Sequence, residues 1–256
     1  NAADFRVRNL SLASEMTFDR LENRRHLLHT LDRYRKRVEP GMADMSQHQH
    51  SAFDLLTSKP VRAAFDISSE PEKLRDRYGR HTFGQSALLA RRLVERGVTF
   101  VTVNVQPWDH HGTANRYATK KGADLLIPPF DRALATLVRD LVDRGLYEKT
   151  MIVAMGEFGR TPKMNSAAGR DHWGKTFSVL IGGGGLNLGQ VIGKSDEHGA
   201  YVSERPLGPE DVAATVYYHL GIDHHLMLPD RTGRPMHLIE KGEPIRELVG
   251  IAEKGA

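Results

Sequence analysis

The order of elements between residues 98 and 155 constrains the fold most. Val98 to Val105 is rich in β-branched residues, Pro128 to Arg144 has helical periodicity opened by a pair of prolines, and Thr150 to Met155 is a second short apolar run. This succession predicts strand, helix, strand: a βαβ unit whose two strands lie parallel in one sheet. Phe177 to Ile181 supplies a third strand running into Gly182 to Gly185, and Pro209 to Leu220 a late helix with proline at its beginning. The expected fold class is therefore α/β, a mostly parallel sheet flanked by helices, with ligands seated beyond the C-terminal ends of the strands.

The first hundred residues read differently. Phe18, Leu21, Leu27, Leu28, Leu31, Tyr34 and Val38 recur at helical spacing among many Arg and His, which predicts an amphipathic helix over 18–38. Further helices are expected at Met42 to Thr57, Pro60 to Asp66, Pro71 to Tyr78 and Gly84 to Arg96, the last ended by Gly97. The expected organisation is a helix-rich region over 1–96 and an α/β region over 97–256, packed as one compact unit.

Composition narrows function mainly by exclusion. The chain has 256 residues, long enough for a sizeable core, and no cysteine, so it has no disulfide framework, zinc–thiolate site or cysteine nucleophile. Its 36 Lys+Arg against 32 Asp+Glu leave a net charge of +4, too dispersed for a nucleic-acid footprint. The Arg-rich stretch from Arg20 to Arg37 is interrupted by Asp19, Glu22 and Asp32, and no nucleic-acid partner is expected. No run approaches the roughly 18 apolar residues of a membrane span, and no signal peptide opens the chain. A start at Asn1 suggests a processed product or part of a longer protein.

Chemistry concentrates after two of the expected strands. Val98 to Val105 runs into Gln106-Pro107-Trp108-Asp109-His110-His111-Gly112, and Thr150 to Met155 runs into Gly156-Glu157-Phe158-Gly159-Arg160-Thr161-Pro162, followed by Gly169-Arg170-Asp171-His172-Trp173. Parallel neighbouring strands would open both loops on one sheet edge. Asp109, His111, Glu157 and His172 would then make a plausible ligand set for a divalent cation, because neutral imidazole and carboxylate together suit zinc or manganese. Adjacent side chains in an extended segment point to opposite sides, so only one of His110 and His111 should face the site. Arg160 and Arg170 could hold an anionic group bidentately beside the metal.

Plainer roles compete with each of these. Asp–His pairs also cap turns and bond to backbone, and both arginines could form ion pairs with Glu157 or Asp171. Gly182 to Gly185 lacks the Lys-Ser/Thr of a phosphate-binding loop and reads as a tight strand exit. His26, His29, His48 and His50 fall on charged helices as solvated residues, and His219 closes a helix whose dipole favours a cation. His224 and His225 follow Asp223 and imitate Asp109-His110-His111, but without a strand immediately before them they rank low.

These motifs, with Tyr78-Gly79-Arg80-His81-Thr82-Phe83-Gly84-Gln85-Ser86, resemble in kind and order those of the domain of unknown function 1501 family, which belongs to the alkaline phosphatase and sulfatase superfamily. The tail, with Pro209 to Val216, Leu220-Gly221-Ile222-Asp223 and Gly233-Arg234-Pro235, looks like the closing helix and turn of sulfatases. The resemblance implies an alkaline phosphatase/sulfatase-like fold and a metal-dependent hydrolase of sulfate or phosphate esters. It also implies a divalent metal (zinc, manganese or calcium), a small anionic ester as substrate, and an exported or periplasmic setting. By position, Asp109 and His111 would serve one metal, the Glu157 loop would stand where relatives carry an Asp-His pair, and His172 would be the late histidine. The nucleophile and a further metal carboxylate would belong to a segment before Asn1, so these 256 residues alone are not expected to run the full double displacement. The alternative is a catalytically inactive scaffold acting as a binding or envelope-associated protein.

Overall fold

A computed structural model describes residues 15–35, 53–54, 58–105, 108–112 and 117–250. The chain divides into two compact units, Asn1–Asn104 and Val105–Ala256.

The first unit is helical. Helix α1 (Phe18–Arg35) starts where Thr17 Oγ1 accepts from Arg20 N at 3.2 Å; it buries Leu21 and leaves Leu27 and Leu31 exposed. Helix α2 (Lys59–Phe65) is capped by Ser58 and carries Pro60 in its first turn, where a missing N–H costs nothing. Helix α3 (Glu72–Tyr78) ends at Gly79, and α4 (Thr82–Glu95) begins with His81 Nδ1 accepting from Gly84 N at 3.1 Å. Gly84 is required at this corner, since a Cβ there would lie 2.1 Å from the Tyr78 carbonyl oxygen. Gln85 ties the corner by donating to Gly79 O at 2.9 Å. Tyr78, Ile67 and Leu88 form the apolar centre, and the buried carboxylate of Glu70 takes ion pairs from both Arg91 and Arg92. The expected helix over Met42 to Thr57, with His48 and His50, falls almost entirely outside the described residues.

The second unit opens with α5 (Thr119–Asp143), continues through β1 (Met151–Ala154), β2 (Gly159–Arg160), β3 (His172–Trp173), β4 (Leu180–Gly183), β5 (Lys194–Ser195) and β6 (Val202–Glu204), and closes with α6 (Pro209–His219), β7 (Met227–Pro229), β8 (Pro235–His237) and α7 (Arg246–Val249). Helix α6 starts as expected, with Pro209 in its first turn and Asp211 Oδ2 accepting from Gly208 N at 2.7 Å. Its Val212 packs with Ile245 and Leu248 against Val153, Val179, Ile181 and Leu207, so the core of this unit sits between α6, α7 and the β1–β4 ladder.

The expected mostly parallel sheet is absent from the described residues. They form four separate two-stranded ladders, β1–β4, β2–β3, β5–β6 and β7–β8, all antiparallel. An apolar run predicts extended backbone but not its direction, which the connection sets: parallel strands need a long crossover, usually a helix. Between β1 and β4 the chain makes a small β2–β3 hairpin with no helix, and it returns antiparallel with Met151 opposite Gly183 and Ala154 opposite Leu180. Val98 to Val105 forms no ladder, and Phe100 is 66% exposed. Its β-branched residues favour a pleated surface, but a strand also needs a hydrogen-bonded neighbour.

The prolines Pro128 and Pro129 do not open α5 but lie inside it, because the helix begins at Thr119. Its buried residues continue on either side of them, from Gly122 to Ala133 and Leu141, so packing overrides the local break. None of the helices in the described residues is long and apolar enough to cross a membrane.

Candidate metal centre

The hairpin after β1 carries half of the site. In the β2–β3 ladder Gly159 pairs with Trp173 and Arg160 with His172, which sets the guanidinium-bearing and imidazole-bearing residues directly across from each other. Gly159 has no room for a side chain, since a Cβ would lie 1.9 Å from the Thr176 carbonyl oxygen. Trp173 anchors the far strand by donating Nε1–H to Ala200 O at 2.7 Å.

The loop at Trp108 to Gly112 supplies the other half, and two glycines let the loops touch. A Cβ at Gly112, whose φ is +75°, would lie 2.1 Å from Ala167 O, and one at Gly169 would lie 2.1 Å from the His111 carbonyl carbon. Backbone meets backbone there, with Arg170 N donating to His110 O at 2.8 Å. Asn165 fastens the junction from within its loop. Its Oδ1 accepts from Ala167 N and Gly169 N at 3.0 and 2.9 Å, and its Nδ2 donates to His111 O and Asp171 Oδ1, both at 3.1 Å.

The loops bring together Asp109, His111 and His172, whose ligand atoms all lie within 4.8 Å of one another. His111 Nε2 is 2.9 Å from Asp109 Oδ1, and its Nδ1 is 2.9 Å from Asp171 Oδ1. The His111 and His172 rings are 4.7 Å apart, and Phe158 stacks on His172 at 4.0 Å. Arg160 closes the group: its Nη1 donates to Asp109 Oδ1 at 3.1 Å and lies 3.4 Å from His111 Nε2, while Nη2 donates to Trp108 O at 3.1 Å.

The electrostatics follow from these contacts. The hydrogen bond from His111, and then that from Asn165, holds the Asp171 carboxyl below its ordinary value. The Asp171 carboxylate beside Nδ1 orients the His111 ring with its Nε2 edge toward Asp109, the kind of carboxylate–imidazole contact that positions metal-ligating histidines. His110 turns the other way, with its Cδ2 only 2.3 Å from where a Cβ on Gly122 of α5 would be. Burial first, and the Arg160 charge second, lower its pKa below the ordinary imidazole value.

The remaining expected residues stand elsewhere. Glu157 is exposed and does not join the group of ligand atoms. The Arg170 guanidinium donates to Thr161 O and Pro162 O at 2.7 and 2.6 Å, bracing the hairpin loop from inside. Of the residues that orient the site, Asp171 stands in the Gly169 to Trp173 motif only as an ion-pair partner for the arginines, and Asn165 has no signal of its own in sequence.

The chain matches over residues 1–249 the family described as "Protein of unknown function (DUF1501)", and it belongs to that family. No curated protein and no solved structure matches it.

Proposed function

We propose that the chain bears the metal-binding part of a hydrolase of sulfate or phosphate esters within the alkaline phosphatase and sulfatase superfamily, working in an exported setting. The carrying observation is the convergence of Asp109, His111 and His172 within 4.8 Å, beside Arg160. One carboxylate and two imidazoles suit zinc or manganese; calcium, which takes six to eight oxygens, fits this donor set poorly. A bound cation of this kind polarises an ester oxygen and lowers the pKa of the attacking group. His111 Nε2, His172 and Asp109 would hold it, Asp171 orients the His111 ring through Nδ1, and Arg160 would supply N–H donors to the anionic ester.

The test is metal content after zinc or manganese loading and dialysis, read by elemental analysis, together with hydrolysis of 4-nitrophenyl phosphate and sulfate. The expected result is one ion per chain fewer in His111→Ala than in the parent, any ester hydrolysis depending on that ion. A His111→Ala protein with unchanged metal content would sink the reading.

One observation favours the scaffold alternative: Arg160 Nη1 already sits against Asp109 Oδ1 and His111 Nε2, giving the carboxylate a resident cation. Under that reading the folded parent retains no ion at this group.

A further inference from the structure

A second group of ligand-type side chains lies outside the hairpin site: His224, His225 and Glu243, with ligand atoms all within 4.8 Å of one another. Its geometry begins with a turn. Leu226 N donates to Asp223 O at 3.1 Å, and Asp223 Oδ1 accepts from His225 N at 2.9 Å, which makes His224 and His225 the two central residues of a four-residue reversal just beyond α6. Adjacent side chains diverge in an extended segment but not here, where the two rings stack at 4.0 Å.

The carboxylate arrives from the segment before α7. Glu243 N donates to Asp211 Oδ1 at 3.0 Å, and Ile245 N donates to Thr215 Oγ1 at 2.8 Å, so that segment is pinned to α6, the helix that leads into the turn. Glu243 offers one oxygen to each ring: Oε2 lies 3.3 Å from His224 Nε2 and Oε1 lies 4.0 Å from His225 Nε2. Tetrahedral ligation with bonds of roughly 2.0–2.2 Å places ligand atoms about 3.4 Å apart. The His224 pair already has that spacing. The other closes by rotation, since the side chains of His225 and Glu243 are 67% and 74% exposed, whereas that of His224 is 14% exposed and serves as the fixed member.

An exposed His–Glu pair adds little to stability in itself, typically below about 1 kcal/mol. Two imidazoles converging on one carboxylate instead match the ligand chemistry of a borderline transition ion. We infer that His224, His225 and Glu243 form a surface site for a divalent transition ion, zinc in the first place, separate from the Asp109 group. Three protein ligands leave one position for water, and hard ions such as calcium and magnesium lack the oxygens they need. The ion clips the turn after α6 to the segment before α7, so its binding stabilises the folded chain by mass action.

Zinc titration calorimetry and zinc-dependent thermal unfolding of the parent, His225→Asn and Glu243→Gln test this, both changes being at exposed side chains that leave folding intact. The expected result is the loss of one zinc per chain, or a weakening of that ion by at least about tenfold, in each variant. The zinc-induced rise in melting temperature should shrink alongside, and millimolar calcium should not displace the ion. The same loss should occur when His225→Asn is placed in a His111→Asn background, which separates this site from the hairpin group. Equal zinc stoichiometry and equal thermal shifts in parent and variants would overturn the inference, as would displacement by calcium.

Discussion

The two histidine groups use the same side-chain types and differ in how they are held. The Asp109, His111 and His172 group joins segments far apart in sequence, and the hydrogen-bonded pair His111 and Asp171 spans 60 residues. It exists because Gly112 and Gly169 let backbones meet, Asn165 stitches the loops, and Asp171 fixes the imidazole. The His224, His225 and Glu243 group hangs on one turn and one pinned segment, with its rings 4.0 Å apart and only His224 within hydrogen-bond distance of Glu243. The first is preorganised but has Arg160 competing for its carboxylate, whereas the second has two exposed, loosely held ligands.

The largest effect should come from the glycine contact. Gly169→Ala puts a Cβ 2.1 Å from His111 backbone, which no side-chain rotation relieves, and should cost about 3 kcal/mol in urea unfolding and abolish metal retention at the hairpin group. Gly233→Ala, in the β7–β8 turn near the second group in sequence, meets no atom within 4 Å and bears only the strain of φ +83°, about 1 kcal/mol. Equal losses in the two variants would break the contrast between a braced and an unbraced group. Next in size is Arg160→Gln. Removing the resident cation should tighten zinc at the hairpin group about tenfold, roughly 1.4 kcal/mol, in calorimetry. Where ester turnover is present, it should fall about a hundredfold in the same variant, because an anion-binding donor is lost. Tighter metal without lost turnover would point to the scaffold.

What could be read in advance divides along physical lines. Helix limits were legible where local chemistry sets them: Pro60 stands in the first turn of α2, Gly97 follows α4, and Pro209 opens α6. Sheet direction was not, because an apolar run such as Thr150 to Met155 has the same composition whichever way its partner runs. Among site residues, Asp109, His111, Arg160 and His172 were legible as polar groups in glycine-rich loops after extended runs. Spacing could not show that Glu157 stays exposed outside the group, or that Arg170 turns inward onto Thr161 and Pro162. The low rank of His224 and His225 rested on the missing strand before them, yet the turn at Asp223 to Leu226 is what brings their rings together.

The smallest effect lies on the acid side of the stability curve and tests whether Asp171 truly orients His111. Two carboxylates serve as a calibrated pair. Arg205 donates to Glu247 at 2.6 and 2.9 Å and lowers its pKa from 4.5 to about 2. A depressed carboxyl favours the ionised folded state, so its contribution is complete above the unfolded value and fades as pH falls through the folded one. Glu247→Gln should therefore flatten the loss of stability between pH 4.5 and about 2. Asp171, lowered chiefly by the His111 hydrogen bond, should behave alike below its ordinary value of 3.8, but more weakly, because its side chain is 56% exposed and water screens the contact. Unfolding free energies measured across this range for Asp171→Asn should show a shallower acid limb than the parent. If the limb is unchanged, Asp171 does not hold His111 ionically, and His111 is no better oriented for a metal than His225.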